Sequence, residues 1–457
     1  MKKTVAEMAE MISIFNDVEG WRDVVLTGVC FDTRQIQAGD LFVPFVGESR
    51  DGHAFVKDAY DAGASAALWQ KDVPNPPEGV PILMVEDTLS ALQDLAKAYL
   101  QEVNPKTIAI TGSNGKTTTK DIMAAIVASK YRVHKTGGNF NNHIGLPYTI
   151  LSMPADTEVA VLEMGMNHRH EIKVLTRIVM PDIALITNVG EAHLEHLGSR
   201  EEIAKAKMEI AMGLDAASLL IYPSEEELLK PLVTDNYRVA TFGKNGDLRP
   251  KMMRTEMEGT SFTTNVAPDV EIFVPIVGEH NVFNTMAAML AAQELGISAS
   301  DVKEALASME RSTSRLEWLV GAKGSDILND AYNSSPTALM AVLKTFMHLE
   351  APNKKKFVVV ADMLELGEDA DAFHYNAGKS IEKGSINKVF AYGNHIEAFT
   401  KAAAEQIGEE NVFYFETKAE LEAELLAQVT GEEYIMVKGS YGMGLKDIVE
   451  ALMSETR

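Results

Sequence analysis

Residues 107–120, TIAITGSNGKTTTK, pass from an apolar segment through a turn with two glycines directly into a helix-forming segment, and no other stretch constrains the fold as strongly. Gly112 and Gly115 permit backbone angles and a close approach that a side chain would block. A helix starting at Lys116 turns its unpaired amides and positive dipole end toward that turn. Strand, glycine turn and helix in this order make an anion cradle at the carboxyl edge of a parallel sheet. The spacing G-x-x-G-K-T is two residues shorter than the common G-x-x-x-x-G-K-[ST] phosphate loop, so an ordinary strand-to-helix turn is the alternative. The context favours phosphate. Gly112, Ser113, Asn114, Gly115, Lys116, Thr117 and Thr118 are then the residues around the phosphates, with the Lys116 ammonium on the β and γ phosphates and the Thr117 hydroxyl on magnesium.

The same alternation continues along the chain. Apolar runs at 107–111, 159–164, 183–188, 219–222, 357–361, 389–392 and 434–438 read as strands, and 116–130, 201–214 and 281–295 carry apolar residues at helical spacing. Strands separated by helices predict parallel sheets. A chain of 457 residues exceeds what one core can hold, so more than one domain is required. The proline-rich 73–81, VPNPPEGVP, reads as a connector, and a second change falls near 311–315. The expected fold is α/β in three domains: a small N-terminal α/β unit (1–83), a central P-loop-type domain with a mostly parallel sheet (84–313) and a C-terminal Rossmann-like domain (314–457).

A net charge of −24 argues against a nucleic-acid binder, which needs a basic face, but screening leaves room for a local anion site. Glu7, Glu10 and Asp17 interrupt the stretch after Met1-Lys2-Lys3, so no signal peptide is expected, and no apolar run reaches the length of a membrane span. A cytoplasmic monomer without membrane insertion is the expectation. The single cysteine, Cys30, excludes an internal disulfide and reads as a small buried residue.

Outside the loop, Glu163 ends the strand VAVLE, where a carboxylate is either solvated or aimed at a metal ion. His193 comes after a second strand in ITNVGEAH, and a lone loop histidine is usually a surface residue. Two strand-end ligands beside a phosphate loop favour metal binding, and the histidine suits a second, substrate-side ion. The HLEH segment at 193–196 lacks the H-E-x-x-H order of a zinc protease, so His196 reads as structural or exposed. Lys205 and Lys207 share one helix, and position alone does not separate them. A lysine near divalent cations loses its proton more easily, and the neutral amine can take up carbon dioxide to form a carbamate, an anionic metal ligand.

Ten strings extend this pattern: TGSNGKTTTK, GGNFNNHIGLP, LEMGMN, ITNVGEAHLEHLGS, AKAKMEI, GEHNVFNTMAA, SRLEW, NDAYNSSP, ADMLELGE and VKGS. In this order the chain resembles the Mur ligases, and among them those that join D-alanyl-D-alanine to UDP-N-acetylmuramoyl-tripeptide. The resemblance spans all three domains and implies an ATP-dependent, amide-forming ligase of peptidoglycan biosynthesis that works through an acyl phosphate and serves cell-wall biogenesis, cell shape, cell division and the cell cycle. It implies that Asp32, Thr33 and Arg34, in FDTRQIQAGDLF, meet the uridine nucleotide, where the alternative is a surface ion pair. Thr117 and Glu163 would hold one magnesium, and His193 with carbamylated Lys207 a second. Lys207 is chosen because it stands seven residues before Leu214. Asn281 and Asn284 are similar to the family's adenine contacts, and Arg315 and Asp330 to nucleotide contacts from the third domain. Asn139, Asn141 and Asn142 would approach the muramoyl peptide. Because ATP contacts come from two domains, closure is expected to complete the site, with an open form in the absence of ligands.

Two departures stand out: Tyr441 where an arginine usually comes after KGS, and Arg169-His170 where a proline-glycine pair is common. Rival readings are an amino-acid-adding member of the family, a folate polyglutamate synthase, or a nucleotide-binding protein without ligase activity. The D-N-P-R motif of the first is missing, the DTR module is not expected in the second, and intact Glu163, His193 and Lys207 argue against the third.

Overall fold

A computed structural model describes residues 1–47, 50–309, 315–351 and 353–454. Its centre is a six-stranded, all-parallel sheet that runs edge to edge Arg238–Phe242, Leu219–Pro223, Ile183–Ile186, Lys106–Thr111, Val159–Glu163 and Val133–Lys135. Its inner strands are apolar on both faces because helices cover both. Ile108, Ile110, Val159, Val161, Ile183 and Leu185 join the core with Ile122, Ile126, Val282 and Met286, from helices Lys116–Ala128 and Glu279–Glu294. The alternate residues Ala109, Ala160, Leu162, Ala184 and Ile186 point the other way, onto Leu92, Leu95, Leu146, Ile172 and Ile203. This period of two fixes which strand residues can reach the carboxyl edge, where Glu163 and Thr111 end their strands.

The C-terminal sheet runs Glu317–Val320, Asp326–Asp330, Glu433–Lys438, Lys355–Ala361, Lys388–Tyr392 and Val412–Phe415, with only the first strand antiparallel. This matches the Rossmann-like expectation. The N-terminal unit holds four parallel strands, Gly28–Cys30, Asp40–Phe42, Ala66–Gln70 and Ile82–Val85.

Two sequence expectations need adjustment. The proline-rich 73–81 is not an interdomain connector, since it joins two neighbouring strands of the first sheet. A boundary after residue 83 would cut the strand Ile82–Val85, whose pairing with Ala66–Gln70 keeps Met84 and Val85 in the first unit. The boundary at 313/314 lies outside the described residues. Unforeseen was an antiparallel ribbon, Pro250–Glu256, Gly259–Thr264 and Ile272–Val274, whose first strand is almost wholly exposed and carries no apolar alternation.

Candidate active site

Gly115 adopts φ 79° as the N-cap of helix Lys116–Ala128, and a Cβ there would lie 2.9 Å from Asn284 Oδ1. At Gly112, φ 149°, an added Cβ would overlap Thr187 Oγ1. The turn is therefore shaped by its neighbours as well as by its own sequence. Thr187 Oγ1 donates to the Asn114 carbonyl (2.5 Å), Asn188 Oδ1 accepts from the Asn114 amide (3.0 Å), and the Gly190 amide donates to Ser113 Oγ (2.9 Å).

Lys116 donates to the carbonyls of Gly112 (2.8 Å) and Ser113 (3.4 Å). Burial pushes its pKa down, with the Glu163 carboxylate pulling the other way. Thr117 Oγ1 donates to Glu163 Oε2 (2.9 Å), while Asn141 Nδ2 donates to Glu163 Oε1 (2.8 Å). Glu163 is only 2% exposed, so the solvated alternative for this carboxylate is excluded. A hydroxyl and a buried carboxylate at the mouth of the loop form a hard oxygen pair of the kind magnesium takes. The Asn114 Nδ2, fully buried, has no acceptor among the described residues, an orphan donor that an anion in the loop would satisfy.

The two lysines left open by the sequence separate clearly. Lys205 is exposed and paired with Glu202 (2.6 Å), the bland reading. Lys207 is 1% exposed, and burial together with the nearby Lys116 ammonium pushes its pKa far below the usual lysine range. His193, at φ 65°, lies near Lys116 and Lys207, and burial first, then Lys116, lowers its pKa. No group of three or more His, Cys, Asp or Glu side chains surrounds one point among the described residues. A second cation at His193 would therefore draw most of its ligands from water and substrate oxygens.

A cavity of about 600 Å³ brings these groups together with residues from all along the chain. Asn281 and Asn284 line it, their buried amides bonded to each other (3.1 Å) and to the Val277 carbonyl (2.9 Å). From the C-terminal domain come Arg315, stacked 4.2 Å over the Tyr332 ring, and Asp330, paired with buried Lys438 at 2.5 Å. Asn139, Asn141 and Asn142 line it as well, although Asn142 Oδ1 also accepts from the Gly145 amide (2.8 Å) at the start of the helix Gly145–Leu151.

Asp32, Thr33 and Arg34 are not among the residues that line the cavity. Asp32 and Arg34 form a bidentate pair (2.9 and 2.7 Å) that holds the Asp32 carboxyl down at about 2. What connects them to the cavity is aromatic. Phe31 packs on Tyr148 and Phe140 at ring distances of 5.5 and 6.4 Å, which fastens the first unit to the loop of Asn139 and Asn141. Sequence reading missed Phe31, Phe140 and Tyr148, and also Thr187, Tyr332 and Lys438, because an aromatic or a lysine announces nothing until its neighbours are known. Cys30 is buried, and burial raises its thiol pKa, as befits a core residue. Among the described residues no helix is long and apolar enough to cross a membrane.

Comparison with known proteins reproduces the same three-part division. Residues 25–100 match the family model described as Mur ligase family, catalytic domain; 110–292 match Mur ligase middle domain; and 314–441 match Mur ligase, glutamate ligase domain. The chain is 43% identical, over 99% of both lengths, to the UDP-N-acetylmuramoyl-tripeptide--D-alanyl-D-alanine ligase of Bacillus subtilis (strain 168). It superposes on crystal structure I of MurF from Acinetobacter baumannii with a TM-score of 0.89 at 27% identity, covering 99% of each chain. For the MurF ligase of Thermotoga maritima in complex with ADP the TM-score is 0.81 at 27% identity, with 94% of this chain and 97% of that one covered.

Proposed function

The chain belongs to the Mur ligase family and is an ATP-dependent ligase that adds D-alanyl-D-alanine to UDP-N-acetylmuramoyl-tripeptide, and from that premise we propose how its own residues divide the work. One observation supports the division above all: a phosphate loop, a buried strand-end carboxylate and polar residues of the C-terminal domain share one cavity.

The terminal carboxylate of the tripeptide attacks the γ phosphorus of ATP, ADP leaves, and the resulting acyl phosphate is attacked by the amine of D-alanyl-D-alanine, releasing phosphate. Both reactants of the first step are anions, so charge neutralisation and alignment make up most of the catalysis. Lys116 binds the β and γ phosphates within the amides of Gly112 to Thr118. Asn281 and Asn284 take the adenine side, and Arg315 and Asp330 hold the nucleotide from the third domain. Asn139, Asn141 and Asn142 position the muramoyl peptide, with Asp32, Thr33 and Arg34 at the uridine end.

Thr117 and Glu163 would hold one magnesium, and His193 with Lys207 in its carbamate form a second. Bound magnesium supplies positive charge between the triphosphate and the incoming carboxylate. Lys207 suits carbamylation because the amine is buried, lacks an ion pair among the described residues and is driven toward its neutral form. We place the enzyme in the cytoplasm as a monomer, and its pentapeptide product supplies wall synthesis and hence cell shape and division.

Phosphate release measured with diaminopimelate- and lysine-containing tripeptide nucleotides, each with and without D-alanyl-D-alanine, tests the reading. Release that depends strictly on the dipeptide is expected with one of them at least. No release with either acceptor would defeat it.

A further inference from the structure

His193 Nδ1 lies 2.7 Å from Glu365 Oε2, a residue of the C-terminal domain. A carboxylate can only accept, so the bond places the ring proton on Nδ1 and leaves Nε2 of the neutral imidazole bare. The ring lines the active-site cavity, whereas Glu365 is not among the residues that line it. The carboxylate is therefore placed to act on the histidine and not on the substrate.

Glu365 is a fixed acceptor. The loop that bears it starts at Asp362, whose carboxylate accepts from the amides of Asn394, His395 and Ile396 at 2.8, 3.0 and 2.7 Å. The Met363 amide donates to buried His374 Nε2 (2.9 Å) and the Leu364 amide to Ser440 Oγ (2.9 Å). Glu365 itself adopts φ 63°, facing His193 at φ 65°, and its carbonyl accepts from the Glu195 amide at 3.0 Å. Two non-glycine residues held in left-handed backbone, opposite each other across a domain boundary, are overdetermined by their surroundings, as residues at functional sites tend to be.

We infer that Glu365 is a positioning residue for His193: the C-terminal domain, by docking its carboxylate on Nδ1, fixes the tautomer and orientation in which Nε2 faces the active-site cavity. The inference rests on the ligase reading for what Nε2 then meets. It gives the C-terminal domain a second task beside contributing Arg315 and Asp330, because a histidine oriented only on docking links domain closure to assembly of the site. The relation is that of an outer carboxylate to a ligand histidine, where loss of the partner commonly costs about 10- to 100-fold in metal affinity or activity.

Glu365→Ala and Glu365→Gln separate the possibilities, since the glutamine keeps an acceptor oxygen without the charge and both variants keep the backbone tie to Glu195. Long-range ¹H–¹⁵N spectra of the imidazoles in the full-length protein, closed with an ATP analogue and the tripeptide nucleotide and with His193 assigned by its loss in His193→Gln, read the tautomer directly and without turnover. The Nδ1–H form is expected in the wild type and in Glu365→Gln, and a mixed or Nε2–H form in Glu365→Ala. In phosphate-release assays the alanine variant is expected to need at least about 10-fold more magnesium for half-maximal rate, with the glutamine variant within about 3-fold of wild type. An Nε2–H tautomer in the wild type overturns the inference, and so does a glutamine variant as impaired as the alanine one. Unchanged magnesium dependence in Glu365→Ala, even with a lower rate, would reduce the residue to an interdomain latch and overturns it as well. A wild type without dipeptide-dependent release would instead count against the ligase reading, while the ring spectra still report on the bond.

Discussion

The Lys116 ammonium donates to the carbonyl of Gly112, four residues earlier in its own loop, at 2.8 Å. The side chain thus lies folded over the turn that a triphosphate must occupy, and ligand oxygens would take the place of these carbonyls. Burial makes the ammonium costly to leave without a partner, so its bond to phosphate should be strong. Lys116→Ala is expected to lower kcat/KM for ATP by about 100-fold or more, about 3 kcal/mol of lost transition-state stabilisation. Steady-state phosphate release checks it, and a loss under about 10-fold would remove Lys116 from the reaction.

Gly112→Ala should damage the loop through Thr187 and not through the helix. An added methyl overlaps Thr187 Oγ1, and φ 149° is itself strained for alanine. A cost of about 1–3 kcal/mol in urea unfolding is expected, together with loss of measurable ATP binding by calorimetry. Gly20→Ala, where a methyl meets nothing within 4 Å, should change stability by no more than about 0.5 kcal/mol.

The assignment of Lys207 yields a test by replacement. If the residue works as a carbamate, Lys207→Ala should be nearly inactive, and a short carboxylate such as formate or acetate should restore part of the rate by entering the vacated space. Lys207→Arg, which forms no carbamate, should be inactive and deaf to the additive. ¹³C-bicarbonate labelling should give a carbamate resonance in the wild type that Lys207→Ala lacks. Absence of both rescue and resonance would leave the lysine as an unmodified buried amine.

How much of this was legible beforehand depended on range along the chain. The phosphate loop announced itself because strand, glycines, lysine and helix are adjacent in sequence, and the apolar strands were visible because a sheet covered on both faces needs continuous apolar runs. The choice between Lys205 and Lys207 was invisible to helical spacing, since only the fold decides that one side chain meets Glu202 and solvent while the other is enclosed. The ribbon 250–274 was missed because its outer strand, exposed almost throughout, has no apolar face to betray it. Glu365 and His193 are 172 residues apart, and no local pattern links a loop carboxylate to a histidine at that separation.

Contacts between the central and C-terminal domains lead to a further expectation. Ser335 Oγ donates to Asn114 Oδ1 (3.1 Å) and Thr337 Oγ1 to Glu191 Oε2 (2.7 Å), so the start of helix Pro336–His348 rests on the phosphate loop and on the strand end that leads to His193. Both contacts are small and polar, of the kind that opens and closes readily. Small-angle scattering should show a smaller radius of gyration with an ATP analogue and the tripeptide nucleotide than without them. Identical curves would count against closure as the step that completes the site.

His280 gives the last prediction, on stability against pH. Desolvation holds its pKa down to about 4, against the pull of Asp330, whereas an unfolded chain returns it to 6.5. Above pH 6.5 neither state binds this proton and the group contributes nothing to the pH dependence. As pH falls through 6.5 the unfolded chain takes up a proton that the folded imidazole refuses, so stability drops by up to ~1.4 kcal/mol per pH unit until the folded group titrates near 4. The loss over that window is about 3 kcal/mol from His280 alone. Half-buried His134 and buried His374, whose pKa values are also lowered by desolvation, steepen the same limb. Urea unfolding of wild type and His280→Gln at about pH 7 and about pH 4 isolates the contribution: the wild type should lose about 3 kcal/mol more than the variant between the two pH values. Equal losses would mean that His280 is as free to ionise in the folded protein as in the unfolded chain.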